Sequence, residues 1–156
     1  MKNKKLWRSV YWLLTALMMT GIFLFSAKTA STSEQMSMGV TRFLTKYIGM
    51  NHVLSVMDHY VRKTAHFMEY ALLAVLVYNA LKIDITKKLY LFSAAQFICS
   101  FYAATDELHQ YFVPGRSCQL KDVLIDSCGA LTGICLCFLF SALTRKIRRK
   151  PEKKWH

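Results

Sequence analysis

The chain has few residues that break or loosen helices. Its 156 residues include only 2 prolines and 6 glycines, which excludes fibrous and low-complexity disordered classes. Acidic residues are also scarce, 9 against 21 lysines and arginines. The 5 cysteines are an odd number and no Cys/His run has zinc-type spacing, so neither a disulfide framework nor a structural zinc site is expected. No nucleophile sits in a recognisable elbow, and Ser117 beside Arg116 does not make one. No internal repeat is present, no cofactor is expected and no metal is assigned.

Long stretches also lack charge. Residues 10–27 and 89–105 have none; residues 65–81 carry only His66 and Glu69, and residues 123–143 only Asp126. A helix needs about 17–25 mostly apolar residues to cross a hydrocarbon core. The blocks therefore predict an all-α integral membrane bundle of four transmembrane helices. A soluble four-helix bundle would show a polar stripe on every helix, and residues 89–105 show none. The first block is read as an uncleaved span, because Phe25 and Lys28 spoil the small-residue pattern of a cleavage site.

The net charge of +12 is unevenly placed. Residues 1–9, the 82–88 loop and the 144–156 tail hold fourteen basic residues against Asp84 and Glu152, while the remainder balances seven against seven. Basic loops stay on the cytoplasmic side, so the pattern predicts N-in/C-in topology. The basic tail can hold anionic membrane lipids; no nucleic-acid partner is expected. The expected organisation is a basic N-terminus (1–9), a membrane domain (10–143) and a basic tail (144–156).

Between spans one and two, "KTASTSEQMSMG" reads as a turn-like start. Val40, Phe43, Leu44, Tyr47 and Ile48 then recur at helical spacing as an outer amphipathic helix, with packing the favoured role for the stripe. Gly49 and Asn51 read as its stop, followed by a separate short helix over residues 52–61. The short "KIDITKK" loop predicts antiparallel spans two and three, and Pro114-Gly115 predicts a turn. Gly129 and Gly133 form a small-xxx-small pattern that lets a second helix approach closely. The cysteines are expected free, with Cys99, Cys128, Cys135 and Cys137 mostly buried in spans and Cys118 in an outer loop.

Polar residues gather at one end of three spans. Arg62, His66 and Glu69 are four and three residues apart and share a helical face, with Tyr70 beside them. Asp106 and Gln110 are one turn apart, with Glu107 and His109 adjacent; Asp122 and Asp126 are likewise one turn apart. Ionisable groups within spans usually face a bundle interior or a water-filled cavity. Arg62, Lys63 and Arg116 suit the phosphate of a phospholipid or polyprenyl phosphate. His66, Glu69 and Asp106 are the candidates for proton transfer, or for pairing with a cation on the ligand. A metal held by His66, Glu69, Asp106 and His109 is the weaker chemical alternative. A purely structural alternative pairs Arg62 or Arg116 with Glu69, Asp106 or Asp126 to lock helix register.

"RKTAHFMEYALLAVL" and "TDELHQYFVPGRSCQLKDVLIDSCGALTG" together resemble the VanZ-like family of small bacterial membrane proteins. Arg62, Lys63, His66, Glu69 and Tyr70 carry the first half of that pattern. Asp106, Glu107, His109, Gln110, Pro114, Gly115, Arg116, Asp122, Asp126 and Gly129 carry the second. The resemblance implies a multi-pass protein of the bacterial cytoplasmic membrane and a contribution to glycopeptide (teicoplanin) resistance. Such a protein would intercept the lipoglycopeptide or act on polyprenyl-linked precursors. The family pattern takes Asp or Asn at 126, so the aspartate here adds a charge expected to need Arg116 or Lys121 nearby. Two other readings stay open: a membrane-embedded hydrolase or transferase acting on a lipid-linked cell-wall precursor, and a structural assembly subunit. Oligomeric state is not readable.

Overall fold

With so little proline and glycine, the chain builds helix almost throughout. The computed structural model describes residues 2–48 and 54–148, which form five α-helices and no strand. They are α1 (Lys2–Ser26), α2 (Ala30–Ile48), α3 (Leu54–Leu81), α4 (Lys88–Tyr111) and α5 (Leu120–Arg148). Helix α3 is central: it packs against all four others, most extensively against α5, whereas α1 and α4 touch only slightly.

Three segments are long and apolar enough to cross a membrane, Asn3–Ser26, Asp58–Leu81 and Leu120–Arg145. Helix α4 has 24 residues, but Ser93, Gln96, Ser100 and Thr105 dilute its apolar character and Asp106 and Glu107 charge its last turns. The bundle turns large apolar side chains outward, among them Leu13, Leu17, Leu24, Phe97, Phe101, Leu139 and Phe140. Surface of that extent is costly in water and ordinary against lipid tails. The chain is thus an all-helical membrane protein.

The α3–α5 contact is close because α5 presents glycine to it. A Cβ on Gly129 would run into the Phe67 backbone, and one on Gly133 into the Ala71 backbone. Both helices advance four residues between those contacts, so α3 and α5 run parallel with their backbones nearly touching. Around this seam lie the buried Tyr70, Leu73, Ala74, Val77, Ala130 and Ile134. Helix α4 adds Leu91, Ala95, Cys99 and Ala103, a four-residue repeat of mostly small side chains. Among the cysteines, all free, Cys128 and Cys135 are exposed rather than buried, because they lie on the face of α5 away from that seam.

The two ends of the bundle differ chemically. Arg8 meets Asp84 at 3.3 Å, and Lys82 donates to Ser141 at 3.1 Å, so the start of α1, the α3–α4 loop and the end of α5 share one end. The other end mixes carboxylates and histidines with Arg62, Lys63 and Arg116.

Two expectations about the α1–α3 connection need correction. Helix α2 starts at Ala30, not near Val40, because Thr29 caps it: its Oγ1 accepts from Thr32 N–H at 3.4 Å and its carbonyl from Ser33 N–H at 3.0 Å. The serines and threonines that read as a turn then bond back along the helix, Ser37 to Ser33 O and Thr41 to Ser37 O, each at 3.0 Å. Residues 54–61 of the expected separate helix are instead the first part of α3, which runs unbroken from Leu54, and residues 52–53 lie outside the described residues. Nothing between Leu54 and Leu81 interrupts it, and Arg62 pairs with Asp58 at 3.3 Å one turn away. Of the amphipathic stripe, Val40 and Phe43 are exposed; Gly49 and Asn51 lie outside the described residues.

Replacing Gly133 by Val should force α3 and α5 apart and cost about 1–3 kcal/mol, the usual range for overpacking. Gly21→Ala and Gly39→Ala meet nothing within 4 Å and should leave thermal unfolding in detergent unchanged or slightly raised, since alanine favours helix over glycine, which makes them the controls.

Candidate functional site

A cavity of about 410 Å³ opens at this mixed-charge end, walled by α2, α3, α5 and the α4–α5 turn, with Phe25 from α1 and Glu107 and Gln110 from α4. Its apolar lining comes from Phe25, Met36, Val40, Val61, Ala65 and Ile125. Its polar lining includes Arg62, Lys63, His66, Glu69, Glu107, Gln110, Arg116, Asp122 and Asp126. The four- and three-residue steps on α3 and the four-residue step on α5 put these groups on facing stripes. The parallel α3–α5 seam brings the stripes to the same level.

Arg116 owes its position to a turn. Val113 to Arg116 close a hydrogen bond of 3.1 Å, with Pro114 and Gly115 at the two central positions. Gly115 has φ 79°, the left-handed value that a type II turn requires there. The Arg116 guanidinium donates to Ser33 Oγ on α2 and so bridges the mouth of the cavity. Burial lowers its pKa from the ordinary value while Asp106 acts in the opposite direction; a guanidinium stays cationic regardless. Just beyond the turn, Glu107 accepts the Gln119 N–H at 2.7 Å. That places a carboxylate at the positive N-terminus of α5.

The ion pairs differ from those expected. Arg62 pairs with Asp58 at 3.3 Å, and Lys63 pairs with Asp122. Among the described residues, neither Arg62 nor Arg116 forms an ion pair with Glu69, Asp106 or Asp126, since Arg62 is held by its own helix and Arg116 by α2. Asp126 has neither Arg116 nor Lys121 as a partner: it is 3% exposed, and among the described residues no hydrogen bond or ion pair reaches it. His66 Nδ1 lies 3.7 Å from Glu69 Oε2, too far for a hydrogen bond, and has no other partner.

Three of the sequence candidates lie outside the cavity lining. Asp106 is buried behind it, accepting from Ser26 Oγ at 2.8 Å and Gln110 Nε2 at 3.2 Å, so it ties α1 to α4. Tyr70 is fully buried in the core near Tyr102. His109 turns toward α1 and stacks on Phe23 with ring centroids 4.3 Å apart, away from the cavity. Among the described residues, no three His, Cys, Asp or Glu side chains converge as metal ligands.

Sequence reasoning missed Ser26, Ser33, Thr41 and Asp58. Asp58 was findable: it stands one turn before Arg62, so the α3 stripe extends by one turn. It accepts from Thr41 Oγ1 at 3.2 Å while pairing with Arg62, and so fastens α2 over the cavity. Asp58→Ala should raise hydrogen exchange across residues 30–48 about tenfold, the effect of losing one hydrogen bond to a charged group. Exchange in the core of α3 should not change.

Comparison with curated proteins and with solved structures finds no match. The family model VanZ/LLP1 matches residues 11–141, a span that contains α2, α3 and α4, every cavity-lining residue and the glycine seam. The chain belongs to the VanZ/LLP1 family.

Proposed function

We propose that this chain spans the bacterial cytoplasmic membrane four times with both termini inside, and that its outward-facing cavity binds an amphiphile with an anionic head group. The fourth span is α4, whose 24 residues reach about 36 Å at 1.5 Å per residue, against a hydrocarbon core of about 30 Å. The clustering of the basic helix ends supports the orientation.

Arg116 carries the ligand reading. Its guanidinium lines a cavity with apolar walls, yet no carboxylate among the described residues pairs with it, and Ser33 Oγ is its partner. Arginine holds phosphate or carboxylate through two parallel hydrogen bonds. Phe25, Met36 and Val40 offer a path for an acyl or prenyl chain beside it. Glycopeptide (teicoplanin) tolerance then follows from capture of the lipoglycopeptide or of a lipid-linked precursor at the outer surface. A second reading, hydrolysis or transfer on such a precursor, is favoured only by His66 and Glu69 facing each other on the cavity wall.

Topology is checked through Cys118, which is exposed in the α4–α5 turn. It should react with an impermeant maleimide on intact cells, whereas a cysteine introduced by Asp84→Cys should react only after permeabilisation. The reverse pattern overturns the orientation.

Ligand binding is checked by native mass spectrometry of protein exposed to phosphatidylglycerol. Arg116→Gln should retain about tenfold less lipid, the equivalent of one charge-assisted hydrogen bond, while Lys121→Gln, exposed and outside the cavity, should match the parent. Unchanged retention by a folded Arg116→Gln protein sinks the reading. Turnover of a polyprenyl phosphate substrate that is lost in His66→Ala and Glu69→Gln would instead select the enzymatic one.

A further inference from the structure

The charges that line the cavity do not balance. Lys63 is taken by Asp122, and Arg62 by Asp58, which lies outside the lining. That leaves one guanidinium, Arg116, facing the carboxylates of Glu69, Glu107 and Asp126. Glu107 is engaged by the Gln119 N–H, and Glu69 has His66 at 3.7 Å. Asp126 has nothing: it is 3% exposed, opens into the cavity, and receives no hydrogen bond or ion pair from the described residues. A nearly buried carboxylate that receives no donor from the protein is costly, and this one opens into the cavity, where a ligand can supply the partner.

The two charge types are also separated along the bundle. Arg116 sits in the turn at the mouth. Asp126 lies one turn deeper than Asp122 on α5, and Glu69 two turns deeper than Arg62 on α3, or about 6 and 10 Å at 1.5 Å per residue. A purely anionic head group would satisfy the mouth and meet repulsion below it. A bare inorganic cation would satisfy the carboxylates, bring no anion to Arg116 and leave the apolar wall uncovered. No three candidate ligands converge on one point among the described residues, so the arrangement fits a bulkier cation that forms hydrogen bonds.

We propose that the ligand is a zwitterionic amphiphile whose anionic group rests on Arg116 and whose primary ammonium is held by Asp126, with Glu69 beside it on the cavity wall. The inference rests on the amphiphile-binding reading and specifies the head group of that ligand. An ammonium brings three donors, enough for Asp126 and a second carboxylate together. Lys63 already makes the same type of contact with Asp122 one turn above.

The test sets phosphatidylethanolamine against phosphatidylglycerol with identical acyl chains, offered together to the full-length protein and read by native mass spectrometry. The parent protein should retain phosphatidylethanolamine about tenfold over phosphatidylglycerol, as expected for one added charge-assisted hydrogen bond. N-acetylated phosphatidylethanolamine, which lacks the positive charge, should fall to the phosphatidylglycerol level. Asp126→Asn should abolish the preference while phosphatidylglycerol is still retained, and Glu69→Gln should reduce it. Equal retention of the two lipids by the parent overturns the inference and leaves anionic amphiphile binding standing. So does a preference untouched by both substitutions. Retention of neither lipid overturns both. Soluble glycerophosphoethanolamine separates the sources: failure to compete supports a membrane ligand, and competition at the affinity of the lipid overturns the amphiphile. The parent-protein comparison needs no variant, so a folding defect in Asp126→Asn would not rescue a failed preference.

Discussion

The glycine-mediated approach of α5 to α3 is the contact on which the remaining architecture depends. Without a Cβ at Gly129 and Gly133, α5 rests on the backbone at Phe67 and Ala71, and the two helices are locked in one parallel register. That register brings Asp122 to Lys63 and puts Asp126 on the same cavity wall as Glu69. A slip of one turn would give Lys63 a different carboxylate. Lipid offers apolar side chains no incentive to associate with each other, so close van der Waals contact and interhelical polar bonds must supply the specificity.

Polar contacts do that work at both ends of the bundle, with different consequences. Arg8 and Asp84 are both well exposed, so their pair contributes little to stability. The Lys63–Asp122 pair is partly buried, and losing either partner would strand a charge away from water. The Ser26–Asp106–Gln110 cluster is fully buried and links helices that otherwise barely meet. The polar end therefore combines structural bonds, which hold helices together, with a cavity wall whose groups are only partly paired.

Much of this could be read in the sequence, because helical spacing is a local property. The facing stripes on α3 and α5, the close approach at Gly129 and Gly133, and the turn at Pro114-Gly115 all follow from residue type and interval. The start of α2 was missed because serine and threonine serve turns and helices alike, and their back-bonding at Ser37 and Thr41 depends on the helix being there already. Asp58 pairs with Arg62 by local helical spacing, but its role in fastening α2 depends on Thr41, a partner chosen by tertiary placement. His109 looked equivalent to Asp106 and Gln110, yet the neighbouring helix is what turns it to Phe23. The pairing of charges was the least legible feature. Which of two aspartates one turn apart receives a lysine depends on the height at which the facing helix is docked.

The junction between Ser26 and Asp106 also has a consequence for the order of synthesis. The two residues are 80 positions apart, so α1 is complete long before the carboxylate that secures its end exists. At about 5–20 residues per second, roughly 4–16 s separate them on the ribosome. Until α3 follows it, α1 must persist on its own hydrogen bonds and apolar surface, which is why the uncharged stretch over residues 10–26 matters. The last helix has the opposite history. It reaches a partner already in place, and its glycines let it dock on α3 without rearranging what came before.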